Sequence, residues 1–285
     1  MGMRISFMPE DKPFGADDSR NAWNNGAEAW DEFVESGRDY YRLAVHGPAL
    51  LEACGDVAGL KVLDLGCGQG YFSRQLALKG ARVTGVDIAE KQTEFARKHE
   101  QERPLGIAYC LMDAARITER WPADSFDLVT ACMSLHDMPD PAQVLKAAAA
   151  VLRSQGRMVY SVPHPNTDTP YREWDRSTVG EKLALKIDRY FETGPTTTHW
   201  NMARLKYHWD TPYVRFTLEQ MSAMTAAAGF LIRRIAEPRP AKEQVEENPD
   251  LDDCRRLPYF LILELVKTAA PPRREIESCK WAVGE

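Results

Sequence analysis

Three carboxylates, Asp64, Asp87 and Asp113, each stand at the end of a short apolar run, and the first is followed by Gly66-Cys67-Gly68-Gln69-Gly70. Glycines after a buried strand let the backbone approach a ligand closely and open a helix whose N-terminus faces it. A dinucleotide site asks for G-x-G-x-x-G/A. Here the third glycine arrives one residue early, and Tyr71 fills the position that should be small. Asp64, two residues before Gly66, would repel a pyrophosphate but suits a ligand carrying positive charge. Asp87 follows the second run and can accept hydrogen bonds from both hydroxyls of a ribose. Asp113, with Ala114 beside it, is placed to meet an adenine edge. Together they describe a site for a cationic nucleoside.

Proton acceptors are the other chemistry in view. His136 and Asp137 follow a fourth apolar run and His164 a fifth, where each could deprotonate an acceptor. His136 could equally stack near the nucleoside, and Asp137 or Asp140 could cap the helix that starts at Pro141. No G-x-S-x-G nucleophile and no G-x-x-x-x-G-K-[ST] phosphate loop occurs. The histidines form no H-x-x-x-H pair, and the cysteines at 54, 67, 110, 132, 254 and 279 form no C-x-x-C. A zinc site and a disulfide framework are therefore both unsupported, while a Mg²⁺ site built from carboxylates near Asp137 and Asp140 stays open.

The elements that must hold these residues alternate. Strands are expected at 61–65, 82–87, 107–112, 126–132 and 156–162, with helices at 71–79, 90–102 and 141–152 between them. That alternation predicts βαβ units and a doubly wound, mostly parallel α/β sheet. A helix at 218–228 and strands at 230–236 and 259–267 add an antiparallel edge, giving seven strands. Residues 238–258 are expected to form a surface loop. Ahead of the sheet, Ser19 is a candidate cap for a helix carrying Trp23, Ala27, Trp30 and Val34 up to Gly37, and a second helix is expected over 39–54. The chain divides into a loose lead-in (1–18), a helical cover (19–58), an α/β domain (59–268) and a tail (269–285).

One stretch breaks the pattern. Residues 164–213 hold eight aromatics with seven acidic and seven basic residues. A connection this long inside a domain is usually functional or structured in its own right. It is expected to be an inserted helical lid over a small, partly apolar acceptor.

Taken in order, these strings resemble the class I S-adenosylmethionine-dependent methyltransferases of the small-molecule type. Val62-Leu-Asp-Leu-Gly-Cys-Gly-Gln-Gly-Tyr71 is similar to their first motif and Val83-Thr-Gly-Val-Asp-Ile88 to their second. Met112-Asp-Ala114 resembles the third, and Phe126-Asp-Leu-Val with Ser134-Leu-His-Asp-Met-Pro139 the fourth. Leu152-Arg-Ser-Gln-Gly-Arg157 resembles the turn before their fifth strand. The likeness is good over residues 20–165 and moderate over 213–267. It implies S-adenosylmethionine as cofactor, with S-adenosylhomocysteine as product. Asp64 would take the ammonium, Gly66, Cys67, Gly68 and Gly70 the methionine end, Asp87 and Ile88 the ribose, and Asp113, Ala114 and Met133 the adenosyl group. In such enzymes an N-terminal cover closes over the cofactor, which would give Arg42 its carboxylate and let Trp23 and Trp30 line the cover. Ordinary packing for the tryptophans and a solvated helix face for Arg42 stay open.

Composition narrows the partners. Lys and Arg number 36 against 42 Asp and Glu, for a net charge of −6. That balance argues against a protein built to grip nucleic-acid phosphates, so a tRNA or protein acceptor is the rival to a small molecule. A protein that keeps the cofactor without using its methyl is a further alternative. No apolar run is long enough to span a membrane, Met1–Asp11 has no secretory pattern, and a reduced cytoplasmic location is expected. Sequence leaves the oligomeric state open.

Overall fold

A computed structural model describes residues 13–202 and 207–268; the tail at 269–285 and the first twelve residues of the lead-in fall outside them. The chain opens with α1 (Ala16–Asn25) and α2 (Ala27–Glu35), split at Gly26. Gly15, not Ser19, stands at the first cap, with the Asp18 carboxylate accepting its N–H at 2.8 Å. The expected second helix begins as a π-helical turn, Arg42–His46, which leads into α3 (Gly47–Cys54). The sheet region follows as β1 (Lys61–Leu65), α4 (Tyr71–Leu78), β2 (Arg82–Asp87), α5 (Glu90–Glu102), β3 (Ala108–Leu111), β4 (Phe126–Cys132), α6 (Pro141–Val151) and β5 (Leu152–Pro163). Asp140 caps α6 by accepting from Gln143 N–H, with Pro141 at the first helical position, where its missing N–H costs nothing.

The insertion is not helical. It forms two antiparallel hairpins, β6 (Tyr171–Arg176) with β7 (Lys182–Asp188) and β8 (Gly194–Met202) with β9 (Tyr207–Arg215). Threonines at 196–198 and the aromatics of β9 favour extended backbone, which the count of aromatics alone does not distinguish from a helix face. The chain ends in α7 (Leu218–Ala227), β10 (Phe230–Ala236), α8 (Lys242–Glu247), α9 (Asp252–Arg256) and β11 (Phe260–Lys267). The stretch expected as loop thus carries two short helices, because Leu251 and Cys254 have an apolar partner in Val45.

Seven strands make one sheet in the order β10-β11-β5-β4-β1-β2-β3. Neighbours from β3 to β5 run parallel, and β11 is antiparallel to both β5 and β10. Each face is covered, as a parallel sheet requires. Leu63, Leu65, Val129 and Tyr160 pack under α6 and α7; Val62, Val83, Leu128 and Ile262 pack under α3, α4 and α5. The strand order reverses between β1 and β4, and the ends of those strands form the crevice in which such sheets bind ligands. Arg157 locks the cover's base to the sheet. Its guanidinium donates to the Cys54 carbonyl at 2.6 Å and to the buried Glu264 carboxylate at 3.1 Å.

Candidate cofactor and acceptor site

The strand ends open into a cavity roofed by α1, α2 and the π-helical turn. Among the residues expected at a site, Trp23, Trp30, Arg42, Asp64, Gly66, Cys67, Gly68, Asp87, Ile88, Asp113, Ala114, Met133 and Asp137 line it. Gly70, His136 and His164 do not. Gly70 sits at the N-cap of α4 with φ +88°, and a Cβ there would lie 2.4 Å from the Tyr109 hydroxyl.

Period-two alternation turns Asp64 to the face of Val62, toward α4. Its carboxylate accepts from Ser73 Oγ at 2.7 Å and Thr130 Oγ1 at 2.8 Å. Burial pushes its pKa up to about 6, and those two hydroxyls hold it from rising further. A buried carboxylate whose neighbours in contact are neutral favours a cation brought in by a ligand. Asp87 accepts from the Gly68 and Ala89 N–H groups at 2.8 and 2.9 Å, which holds the glycine turn against the end of β2. Asp113 caps a 3₁₀ turn through Ala115 N–H at 2.8 Å.

The glycine turn is a cradle that side chains would fill. Gly66 has φ +62°, and a Cβ on it would lie 2.6 Å from Ser134 Cβ. Met133, just past β4, also holds positive φ, +52°, tied by its N–H to Ser161. Strain of this kind in a non-glycine residue tends to sit at ligand sites. Burial raises the thiols of Cys67 and Cys132, the latter to about 12, so both stay protonated and serve as small apolar walls.

Arg42 is buried, with Nε donating to Asp39 at 2.8 Å and its guanidinium between the rings of Trp30 and Tyr71, 5.2 and 5.4 Å from their centroids. The π-helical turn aims it inward; a Cβ on Gly47 would meet the Arg42 carbonyl at 2.4 Å. The cover is tied down by polar links to α4 and α5. Asn24 pairs with Glu90, Asp31 with His99 at 2.7 Å, and Glu35 with Arg74 and Gln69. From above, Trp200 of β8 lies 5.4 Å from Trp30 and 6.3 Å from Trp23, and stacks on Trp209.

Two lining residues escaped the sequence reading. Ser19, expected as a cap, is buried and donates to the Asp137 carbonyl at 2.9 Å. Gln92 is 1 % exposed on the first turn of α5, and neither amide atom has a protein partner. An unbonded buried amide costs stability, so its presence on the cavity wall marks a ligand position. Nothing in its sequence context distinguishes it from a helix surface glutamine.

The proton acceptors separate. Asp137 faces the cavity, and burial, followed by the nearby Asp87 charge, raises its carboxyl well above the usual range. His136 faces a smaller hollow on the far side, next to Val162, Asp168 and Met221. His164 is occupied, with Nε2 3.0 Å from Glu237 and Nδ1 accepting from Asn166 N–H.

Residues 63–160 match the family described as a methyltransferase domain. An S-adenosylmethionine-dependent methyltransferase from Mesorhizobium loti is 29% identical, covering 77% of this chain and 96% of its own, with a TM-score of 0.65. The chain has the fold of the class I S-adenosylmethionine-dependent methyltransferases, and its residues 63–160 carry the matching domain. Among curated methyltransferases, the ubiquinone biosynthesis O-methyltransferase of Bordetella pertussis is 36% identical over 115 residues, 40% of this chain and 47% of its own. Its counterpart from Idiomarina loihiensis is 41% identical over 108 residues, 38% of this chain and 44% of its own. The match thus spans about half the length of these curated relatives. The cofactor of the methyltransferase family, S-adenosylmethionine, fits the donor set here: a buried carboxylate for an ammonium, a glycine cradle, and unbonded polar atoms at Gln92. Among the described residues, no helix is long and apolar enough to cross a membrane.

Proposed function

We propose that this chain transfers a methyl group to an oxygen or nitrogen atom of a small, partly apolar acceptor. The observation that carries the reading is the cavity itself, where a cation-seeking carboxylate, a ribose-seeking carboxylate and an adenine-side carboxylate stand on three strand ends under an aromatic roof. When bound, S-adenosylmethionine supplies a methyl group already activated by its sulfonium. Asp64 and the N–H groups of the glycine turn would hold the methionine end, Arg42 its carboxylate, Asp87 with Gln92 the ribose, and Asp113 with Ala114 the adenine edge. The chain's own work is then positioning and exclusion of water, which can account for most of such a rate. Asp137 is the base best placed to take a proton from the acceptor, being the one of the three expected bases that faces the cavity. The curated relatives are named as O-methyltransferases, which favours a hydroxyl acceptor.

Calorimetric titration with S-adenosylmethionine, S-adenosylhomocysteine and NAD tests the site; the first two should bind and the third should not. Methyl-labelled cofactor with a panel of phenols, catechols and amines tests the reaction. Label on a phenolic oxygen supports the reading. Tight cofactor binding with no label on any small acceptor, or label only on added tRNA or protein, overturns it.

A further inference from the structure

The hollow behind the cavity has a composition that packing does not explain. It is a small pocket lined by His136, Val162, Pro163, Asp168, Phe216 and Met221. Two ionisable side chains face it across an otherwise apolar wall. His136 Nδ1 is buried and bonded to no protein group, while its Nε2 lies 3.5 Å from Asp137 Oδ1. Asp168 accepts from the Tyr213 hydroxyl at 3.0 Å, and the Tyr213 ring meets the His136 ring edge-on at 6.0 Å. One imidazole therefore lies beside the Asp137 carboxyl through one nitrogen, lines the hollow, and leaves its other nitrogen without a protein partner.

We infer that His136 and Asp168 form a proton exit for Asp137, with water in the hollow carrying the proton between them. The inference rests on the reading of Asp137 as the base that receives the acceptor's proton. The hollow has room for about one water, and a buried water is held where two or more polar groups can bond it. The resting imidazole is neutral, since burial lowers its pKa to about 3. Its proton sits on Nδ1, donated through water toward Asp168. The bare Nε2 then faces the Asp137 carboxyl at 3.5 Å, and burial, which raises the Asp137 pKa, makes that group take up a proton readily. When Asp137 gains a proton, its O–H donates to Nε2. That proton moves to Nε2 as the Nδ1 proton leaves through water to an Asp168 oxygen, so Asp137 is again a carboxylate and the imidazole again neutral. The ring returns to its starting tautomer once Asp168 has lost its proton to solvent. Burial raises the Asp168 pKa, and Arg215, Tyr213 and Arg172, which face it, offset that rise only in part; Asp87 faces Asp137. His136 and Asp168 are positioning and relay groups; neither touches the acceptor.

Histidine-selective ¹⁵N NMR of the full chain reads the tautomer without an acceptor. The His136 signal should be neutral and Nδ1-protonated, and Asp168→Asn should shift it toward the Nε2-protonated form. Tyr213→Phe, which removes one donor from Asp168 and keeps the ring, should move it in the same direction by less. An Nε2-protonated His136 in the unaltered protein, or a signal unmoved in folded Asp168→Asn, overturns the relay. With a phenol that accepts label, Asp168→Asn should lower kcat about tenfold, leave KM for the cofactor unchanged and raise the solvent deuterium effect; unchanged kcat in the folded variant also overturns it. Asp137→Asn separates the two ideas: full methylation by that variant sinks the base, whatever the tautomer shows.

Discussion

The indole of Trp209 occupies the space that a side chain on residue 26 would need: a Cβ on Gly26 would fall 2.3 Å from its ring. The insertion and the N-terminal cover are thus fitted to each other at the break between α1 and α2. Gly26→Ala should push the β8–β9 hairpin off the cover, because Gly26 has an ordinary φ of −90° and the clash is with the ring alone. Stopped-flow tryptophan fluorescence should show S-adenosylhomocysteine leaving several-fold faster. An unchanged rate would mean that the hairpin does not hold the roof.

Asp64 predicts a trade between stability and binding. Its folded-state pKa, about 6, lies above the unfolded value, so the folded chain holds the proton more tightly. Its contribution to stability is full below pH about 4 and is lost as the pH rises through 6. Asp64→Asn should therefore raise the melting temperature of the ligand-free protein by a few degrees at pH 8, from a shift worth at most about 3 kcal/mol. The same variant should bind cofactor more weakly. In the unaltered protein, affinity for the cationic cofactor should strengthen as pH rises through about 6, and calorimetry across pH 5–8 checks it.

Asp87→Ala removes the ribose contacts and the acceptor that holds Gly68 in place. Cofactor affinity should fall by about 10–100-fold, on the order of 1.4–2.8 kcal/mol. Unchanged affinity would place the site elsewhere.

Gln92→Leu separates a ligand contact from a structural one. Replacing an unbonded buried amide by an apolar group of similar size should leave thermal stability equal or higher. Affinity for S-adenosylhomocysteine should drop about tenfold. A loss of stability with unchanged affinity would make Gln92 a packing residue.

Arg157→Met tests the base of the cover. It strands the buried Glu264 with only the more exposed Arg233 as partner and frees the Cys54 carbonyl. Breaking one side of such a network costs about 3 kcal/mol, seen as a lower urea midpoint with an unchanged slope.

The cradle and its three carboxylates were legible in the sequence. In a doubly wound sheet, chain order alone brings the ends of β1, β2 and β3 side by side, so Asp64, Asp87 and Asp113 needed only the strand pattern to be placed.

Other features depended on contacts between distant parts of the chain. His136 and Asp137 are adjacent in sequence, yet one 3₁₀ turn leaves them lining different cavities, and no pattern of residue types encodes that. The insertion read as helical because aromatic content marks burial without marking its period. Its β8–β9 hairpin is fixed by Trp200 and Trp209 packing on helices more than 160 residues earlier. Gln92 became visible as a site residue when its amide was found buried without a partner. The sequence by itself determined the sheet, the cofactor class and the strand ends at which Asp64, Asp87 and Asp113 stand, since those follow from local periodicity and turn chemistry. Only the tertiary structure decided what closes the cavity and which proton acceptor faces it, since both depend on long-range packing that short-range order leaves free.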